Sequence, residues 1–446
     1  MKIYKHLAIV ALATWVALTP NHTSAGPAVI RDAEIEDIIK GYMTPLLQAA
    51  GIAPGAVRLI LINQEDLNAF VAGGMNIFVY TGLLRQAESA DEVIGVIAHE
   101  IGHIAGGHIA RLGSAYENAS TQAIATAILG VAAAVASGRA DVGAAVAAGG
   151  QSSAIRGVLA HTRAQESAAD QAAFRYLETT GQSVQGLIDM LTRLSDQELL
   201  SSRHQDPYVR THPLSRDRLE TTKAFLARSQ YKGINSGTAK QGRFKRMQAK
   251  LAGFIDPPST TLSKYQTDDP IDRYARAIAY YRRGNLEKAI PLIDGLIASS
   301  PKDPYLHELK GQILMDNGRS IEAEASYDAA LTLRPGDPAI MLPAANAVLE
   351  GRGDTAKAIE ILQDVVFREP RNSSAWRQLG IGYGKKGDIG LAAAALAESE
   401  MLNGQRDNAA LQAKRAQFHL PKGSPGWLRA EDILRAVSKN SEKENQ

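Results

Sequence analysis

Two histidines four residues apart with a carboxylate between them, His99-Glu100-Ile101-Gly102-His103, carry the most direct chemical signal in this chain of 446 residues. On an α-helix that spacing stacks both imidazoles on one face, a turn apart. Two neutral ring nitrogens so placed supply two of the four tetrahedral positions of Zn²⁺. Glu100 is rotated about 100° around the axis from His99 and can reach a water at the metal. Val93, Ile94, Ile97 and Ile101 add an apolar stripe at helical spacing, so the segment reads as a half-buried metal-binding helix rather than a chance pair of surface histidines.

A third protein ligand is still required. A metzincin places it six residues beyond the second histidine, where Ile109 stands. On a continuous helix His108 lies about 180° from His99, so it reads as a helix-end residue and not a ligand. Glu166-Ser-Ala-Ala-Asp170 is the better candidate, a carboxylate pair one turn apart on a helical pattern continued by Ala173, Phe174 and Leu177. Glu166 is assigned to the metal. Asp170 is expected to accept a hydrogen bond from a ligand histidine and so fix its tautomer. One Zn²⁺ per chain, held by His99, His103 and Glu166, is the prediction.

His-Glu-x-x-His with a distant Glu-x-x-Ala-Asp resembles the gluzincin family that includes HtpX and the CAAX prenyl endopeptidases. Asn76-Ile-Phe-Val-Tyr-Thr-Gly-Leu-Leu84 resembles that family's strand and helix start before the zinc helix. Thr211-His212-Pro213 with Arg218 resembles its Thr-His-Pro-x-x-x-x-Arg segment. The resemblance implies a zinc endopeptidase in which Glu100 takes the proton of the attacking water and returns it to the leaving amine. It also brings His212 and Arg218 to the site. His212 has two readings: a gate that fills the open fourth metal position, or a donor to the oxyanion of the transition state.

To hold these residues the chain needs a compact α+β unit. Arg31 to Ile39 reads as a helix with acids in its first turn, and Val57 to Asn63 as a strand. Asn68 to Met75 reads as a turn leading to a second strand, Asn76 to Tyr80, in a small sheet beside the metal helix. An edge strand so placed would align an extended protein substrate by main-chain hydrogen bonds. The alanine- and glycine-rich segment 123–148 contains Arg139 and Asp141, each costing ~2.5–3.5 kcal/mol near a membrane helix centre. Two short helices, against the active site or in peripheral contact with a membrane, fit it better than a span. In Gly242 to Ile255, Phe244, Met247, Leu251 and Phe254 share one helical face while Arg243, Arg246 and Lys250 read as a solvated one.

The N-terminus has Lys2 and Lys5, an apolar run from Leu7 to Leu18, and Thr23-Ser24-Ala25 as a cleavage site, the pattern of a signal peptide and hence of export to a periplasm. There is no cysteine, so no disulfide and no lipidated cysteine. Net charge is +2, falling to zero once the two lysines of residues 1–25 are removed, which speaks against nucleic acid as a partner.

From Asp269 the chain repeats. Gly284, Gly318, Gly353 and Gly387 recur at steps of 34, 35 and 34, Ala289, Ala323, Ala358 and Ala392 keep the same steps, and Pro301, Pro335 and Pro370 close three units. Trp376-Arg-Gln-Leu-Gly-Ile-Gly-Tyr383 fits the tetratricopeptide consensus. The expected fold is mostly α: a zincin-type α+β metalloprotease domain (26–258), a linker (259–268), an α-solenoid of tetratricopeptide repeats with capping helices (269–438), and a polar tail (439–446). As a whole this order is similar to periplasmic members of the family. That similarity implies misassembled outer-membrane β-barrel proteins as substrates, a chaperone-like role for the repeats, and docking to the outer-membrane β-barrel assembly machinery. The rival reading is a repeat-based binding factor with a latent or structural zinc site.

Overall fold

A computed structural model describes residues 28–108, 163–195, 212, 216–351 and 353–444. The expected signal peptide and segment 123–148 lie outside these residues, as do Thr211 and Pro213.

The first region is built on a four-stranded sheet and three helices that pack against one another. The strands are β1 (Ala28–Ile30), β2 (Arg58–Asn63), β3 (Ala69–Ala72) and β4 (Asn76–Tyr80), in the order β1-β2-β4-β3. β2 and β4 run parallel in the centre, with Arg58 opposite Asn76 and Ile62 opposite Tyr80, and β1 and β3 flank them antiparallel. The stretch expected to be only a turn, Asn68 to Met75, thus contains the edge strand β3. Gly73 and Gly74, at φ +59° and +94°, let the chain reverse from β3 into β4, and the Asn76 amide donates to the carbonyls of Ala72 and Gly73. Asn76 to Tyr80 is consequently an inner strand.

α1 (Ala33–Ala49) is capped by Asp32, whose side chain accepts from the Ile35 N–H. α2 (Thr81–Gln86) follows β4, and α3 (Ala90–Ala105) starts at Ser89, which accepts from the Glu92 N–H. α3 is buried from Val93 through His103, sandwiched by α4 (Arg163–Thr179) and α5 (Gln185–Ser195). Such a helix is apolar nearly all round, and its polar residues must therefore find partners inside the protein. α6 (Arg216–Arg228) packs on α4 and α5.

α7 (Gly237–Ile255) leads to the repeats. Pro257 and Pro258 end α7, but a proline is well tolerated in the first turn of a helix, and Pro258–Lys264 forms α8 where an open linker was expected. The Thr261 hydroxyl ties α8 back by donating to the Ala252 carbonyl. Five helix pairs follow: α9 (Pro270–Arg282) with α10 (Leu286–Ser299), α11 (Pro304–Met315) with α12 (Ser320–Leu333), α13 (Pro338–Glu350) with α14 (Thr355–Arg368), α15 (Ser373–Lys386) with α16 (Ile389–Leu402), and α17 (Arg406–His419) with α18 (Pro425–Glu444). α18 runs past Ser438, where a tail was expected. Ala289, Ala323 and Ala358 are fully buried at the close helix contacts.

The two regions share a charged, buried junction. Lys250, read from sequence as part of a solvated face, is 1% exposed and lies 2.8 Å from Asp32 and 3.3 Å from Glu34. Arg246 pairs with Glu34 and with Asp303 of the repeats. The Tyr274 hydroxyl donates to Glu34 at 2.7 Å. The bases turn inward because the acidic first turn of α1 lies against them. Arg31 to Glu369 and Arg334 to Asp37, both at 2.7 Å, extend the contact along the repeats.

Candidate metal centre

His99 and His103 lie one turn apart on α3, and Glu166 and Asp170 one turn apart on α4. The two helices can bring these residues together because Gly102 has no side chain: a Cβ there would sit 2.6 Å from the Ala169 carbonyl oxygen. His99, His103, Glu166 and His212 are all fully buried, with one donor atom from each inside a span of 4.8 Å. The Nε2 atoms of His99 and His103 are 3.0 Å apart. Glu166 places Oε2 at 3.2 Å from the first and Oε1 at 3.3 Å from the second. Tetrahedral donors bonded at about 2.0–2.1 Å to zinc are separated by about 3.4 Å, so the triangle has the size a metal ion demands.

The outer nitrogens are also engaged. His99 Nδ1 lies 2.8 Å from Asp170 Oδ1, and a carboxylate there makes Nδ1 the proton-bearing atom and leaves Nε2 its lone pair. Arg218 lies beneath both carboxylates, with Nε and Nη2 on Asp170 at 2.7 and 3.0 Å and Nη1 on Glu166 at 2.8 Å. Glu100 is different. Its carboxylate is fully buried, and among the described residues neither oxygen has a hydrogen-bond partner; His212 Nε2 lies 3.5 Å from Oε1. Burial raises the Glu100 carboxyl above the usual range, against the pull of His212 and His99.

Residues 30–225, which include every group just described, match the family model of peptidase family M48, and residues 274–338 and 314–380 match tetratricopeptide repeat models. This chain carries a peptidase family M48 domain and is a metalloprotease. Similar curated proteins are the beta-barrel assembly-enhancing proteases of Yersinia pestis, 26% identical over 85% of this chain and 79% of their protein, and of Escherichia coli strain K12, 24% identical over 89% and 81%. The solved structure of yeast Tom70 aligns over 78% of this chain and 82% of its own at 11% identity with a TM-score of 0.31.

An M48 domain implies a divalent metal, and the donor set fits one: two imidazoles and a carboxylate converging in a buried cluster, with the Glu100 carboxylate beside them. Burial opposes a charged His99, but hydrogen bonds to Asp170 and Glu166 raise its pKa to about 9. Burial also works against ionised Glu166, yet the charge of His212 and hydrogen bonds from the three histidines hold it well below the usual carboxylate range. A proton at this centre thus occupies a place that a cation can take, and acid competes with metal.

The M48 domain also shows what sequence reasoning missed. His108 is not among the clustered donors, but it is not a bystander: its Nδ1 lies 2.9 Å from His103 Nδ1 and its ring is buried. The helix does not continue to His108: α3 ends at Ala105, and Gly107, at φ +61°, reverses the chain. Gly106 leaves room for the returning ring, since a Cβ there would meet His108 Nε2 at 2.4 Å. The Gly-Gly pair was the available signal. His212 sits with Nδ1 3.3 Å from Glu166 and Nε2 3.3 Å from the Ala69 carbonyl of β3, between the donors and the edge strand.

Proposed function

We propose that the protein is a zinc endopeptidase of the periplasm that degrades misassembled outer-membrane β-barrel proteins, with its repeats holding protein chains in a chaperone-like way and docking to the barrel-assembly machinery. The observation that carries the hydrolytic reading is the pairing of three converging donors with Glu100, a buried carboxylate that accepts no hydrogen bond among the described residues. Zinc, held by His99, His103 and Glu166, would acidify a water and polarise the scissile carbonyl. Glu100 takes the proton from that water and delivers it to the leaving amine. Asp170 orients His99, Arg218 holds Glu166 and Asp170 in register, and β3 is the edge along which an extended substrate lies. The names of the curated relatives support the substrate class and the role in barrel assembly. The test is degradation of an unfolded outer-membrane β-barrel protein by the protein as purified, after chelation, and after zinc is restored. Activity that survives full chelation contradicts the reading.

His212 carries a second point. Its ring is close enough to the three donors to be the fourth, which favours a gate over an oxyanion donor. His212→Ala raises proteolysis if the ring closes the site, and lowers it by about 10²-fold or more if it stabilises the transition state.

A further inference from the structure

A large cavity lies away from the metal-centre residues, between the sheet and the repeats. β1 stops at Ile30, opposite Leu61, so β2 runs on without a neighbour on that side. The Arg58 N–H donates to the Met75 carbonyl, on the β4 side, and strand alternation then turns the N–H and C=O of Leu59 toward the open edge. In the register of β1 the next partner for Leu59 would be Asp32, but Asp32 caps α1 and its carbonyl accepts from the Glu36 N–H. Among the described residues no backbone hydrogen bond reaches Leu59 from that side, and its N–H and C=O face a cavity of about 1250 Å³ lined by Leu59 and Ile30 on one wall and by Gln312, Leu342 and Asn346 on the other. Gln312 and Asn346 stand on α11 and α13, the first helices of successive pairs, and Asn346 Oδ1 is buried with no hydrogen-bond partner among the described residues.

From these unmet groups we infer that the cavity takes a segment of another protein in extended conformation, which adds to the open edge at Leu59 and is held from the opposite wall by the Asn346 amide. Main-chain groups alternate along an extended segment, so one can serve Leu59 while the next faces the repeats. The ion pair of Arg31 with Glu369 neutralises part of the cavity wall, and Ile30, Leu59 and Leu342 offer apolar contacts. Selection is therefore by main chain and by alternating apolar side chains rather than by net charge. The inference deepens the proposed function and rests on it for one point, that the occupant is protein chain.

The test uses full-length protein carrying Glu100→Gln, so that binding is read without cleavage and a failure of the hydrolytic reading appears separately in the degradation assay. The probe is a fluorescein-labelled peptide of about ten residues alternating valine and threonine, the pattern of one barrel strand, alongside the same peptide N-methylated at alternate residues. The expected result is saturable binding that slows amide hydrogen exchange at Leu59. N-methylation and Asn346→Leu should each weaken binding by about tenfold. Leu59→Pro, which removes the outward N–H without touching the β4 ladder, should weaken it similarly; if that variant does not fold, Asn346→Leu and the methylated peptide decide. No binding, equal binding of both peptides, or protection confined to Ala69–Ala72 overturns the inference. So does a self-associated protein that Leu59→Pro converts to monomer, since the edge would then belong to a second copy of this chain.

Discussion

The metal centre and the junction between α1, α7 and the repeats both bury several charged groups, yet they bury them differently. At the junction each charge meets its opposite: Lys250 faces Asp32 and Glu34, and Arg246 faces Glu34 and Asp303. At the metal centre Asp170 and Glu166 are held by Arg218 and the histidines, but Glu100, between His99 and His103 in sequence, accepts no hydrogen bond among the described residues. Taking a carboxylate out of water without a partner costs several kcal/mol. A fold that leaves both oxygens of one buried carboxylate in that state, beside two carboxylates held by Arg218 and the histidines, marks that residue for a molecule that comes and goes. Opposed charges hold the two regions together at the junction.

The largest effect should come from Glu100→Gln. It keeps the shape and the metal and removes the base, so casein hydrolysis should fall by about 10²–10⁴-fold with metal content unchanged. Retained hydrolysis would erase the distinction between the two regions. Next, Lys250→Ala leaves Asp32 and Glu34 buried beside no lysine and should cost about 3–5 kcal/mol in denaturant unfolding, while the folded fraction still binds metal. A loss of metal from folded Lys250→Ala protein would show the junction and the centre to be one unit. His108→Ala should weaken metal affinity by about 10–100-fold, measured by competition with a chromogenic chelator, and His108→Asn should recover part of it, because what His103 needs is a hydrogen-bond partner for Nδ1.

The smallest effect is a pH dependence at the junction. Burial, together with the charges of Asp32, Glu34 and Asp337 and against the pull of Lys250, raises the Glu308 carboxyl from 4.5 to about 7. The folded state thus holds this proton more tightly than the unfolded chain does. Its contribution to stability is full below the unfolded value and is lost as pH rises through about 7. Glu308→Gln, which cannot ionise, should raise the melting temperature relative to wild type by about 2 °C or more at pH 8 compared with pH 5. An equal shift at both pH values would contradict this.

The clustering of His99, His103, Glu166 and Asp170 and the repeats were legible because each rests on a local period: i, i+4 on α3 and α4, and a step of about 34 residues for the glycines and alanines. What was not legible depends on contacts far apart in sequence. The turn at Gly106-Gly107 that returns His108 to His103 is a short-range signal passed over in favour of an unbroken helix. β3 was hidden because Ala69–Ala72 is four residues with no alternation, buried on both faces. The inward bases of α7 could not be read at all, since helical periodicity says which residues share a face but not that an acidic helix start more than 200 residues earlier will cover it.

The central claim is that His99, His103 and Glu166 hold one zinc ion that Glu100 serves without holding it. Metal analysis by mass spectrometry on the wild type, Glu100→Gln and His103→Ala, each shown by circular dichroism to be folded, tests it directly. The account predicts about one zinc per chain in the first two and almost none in the third. Stoichiometric zinc in His103→Ala, or its loss from Glu100→Gln, would contradict it.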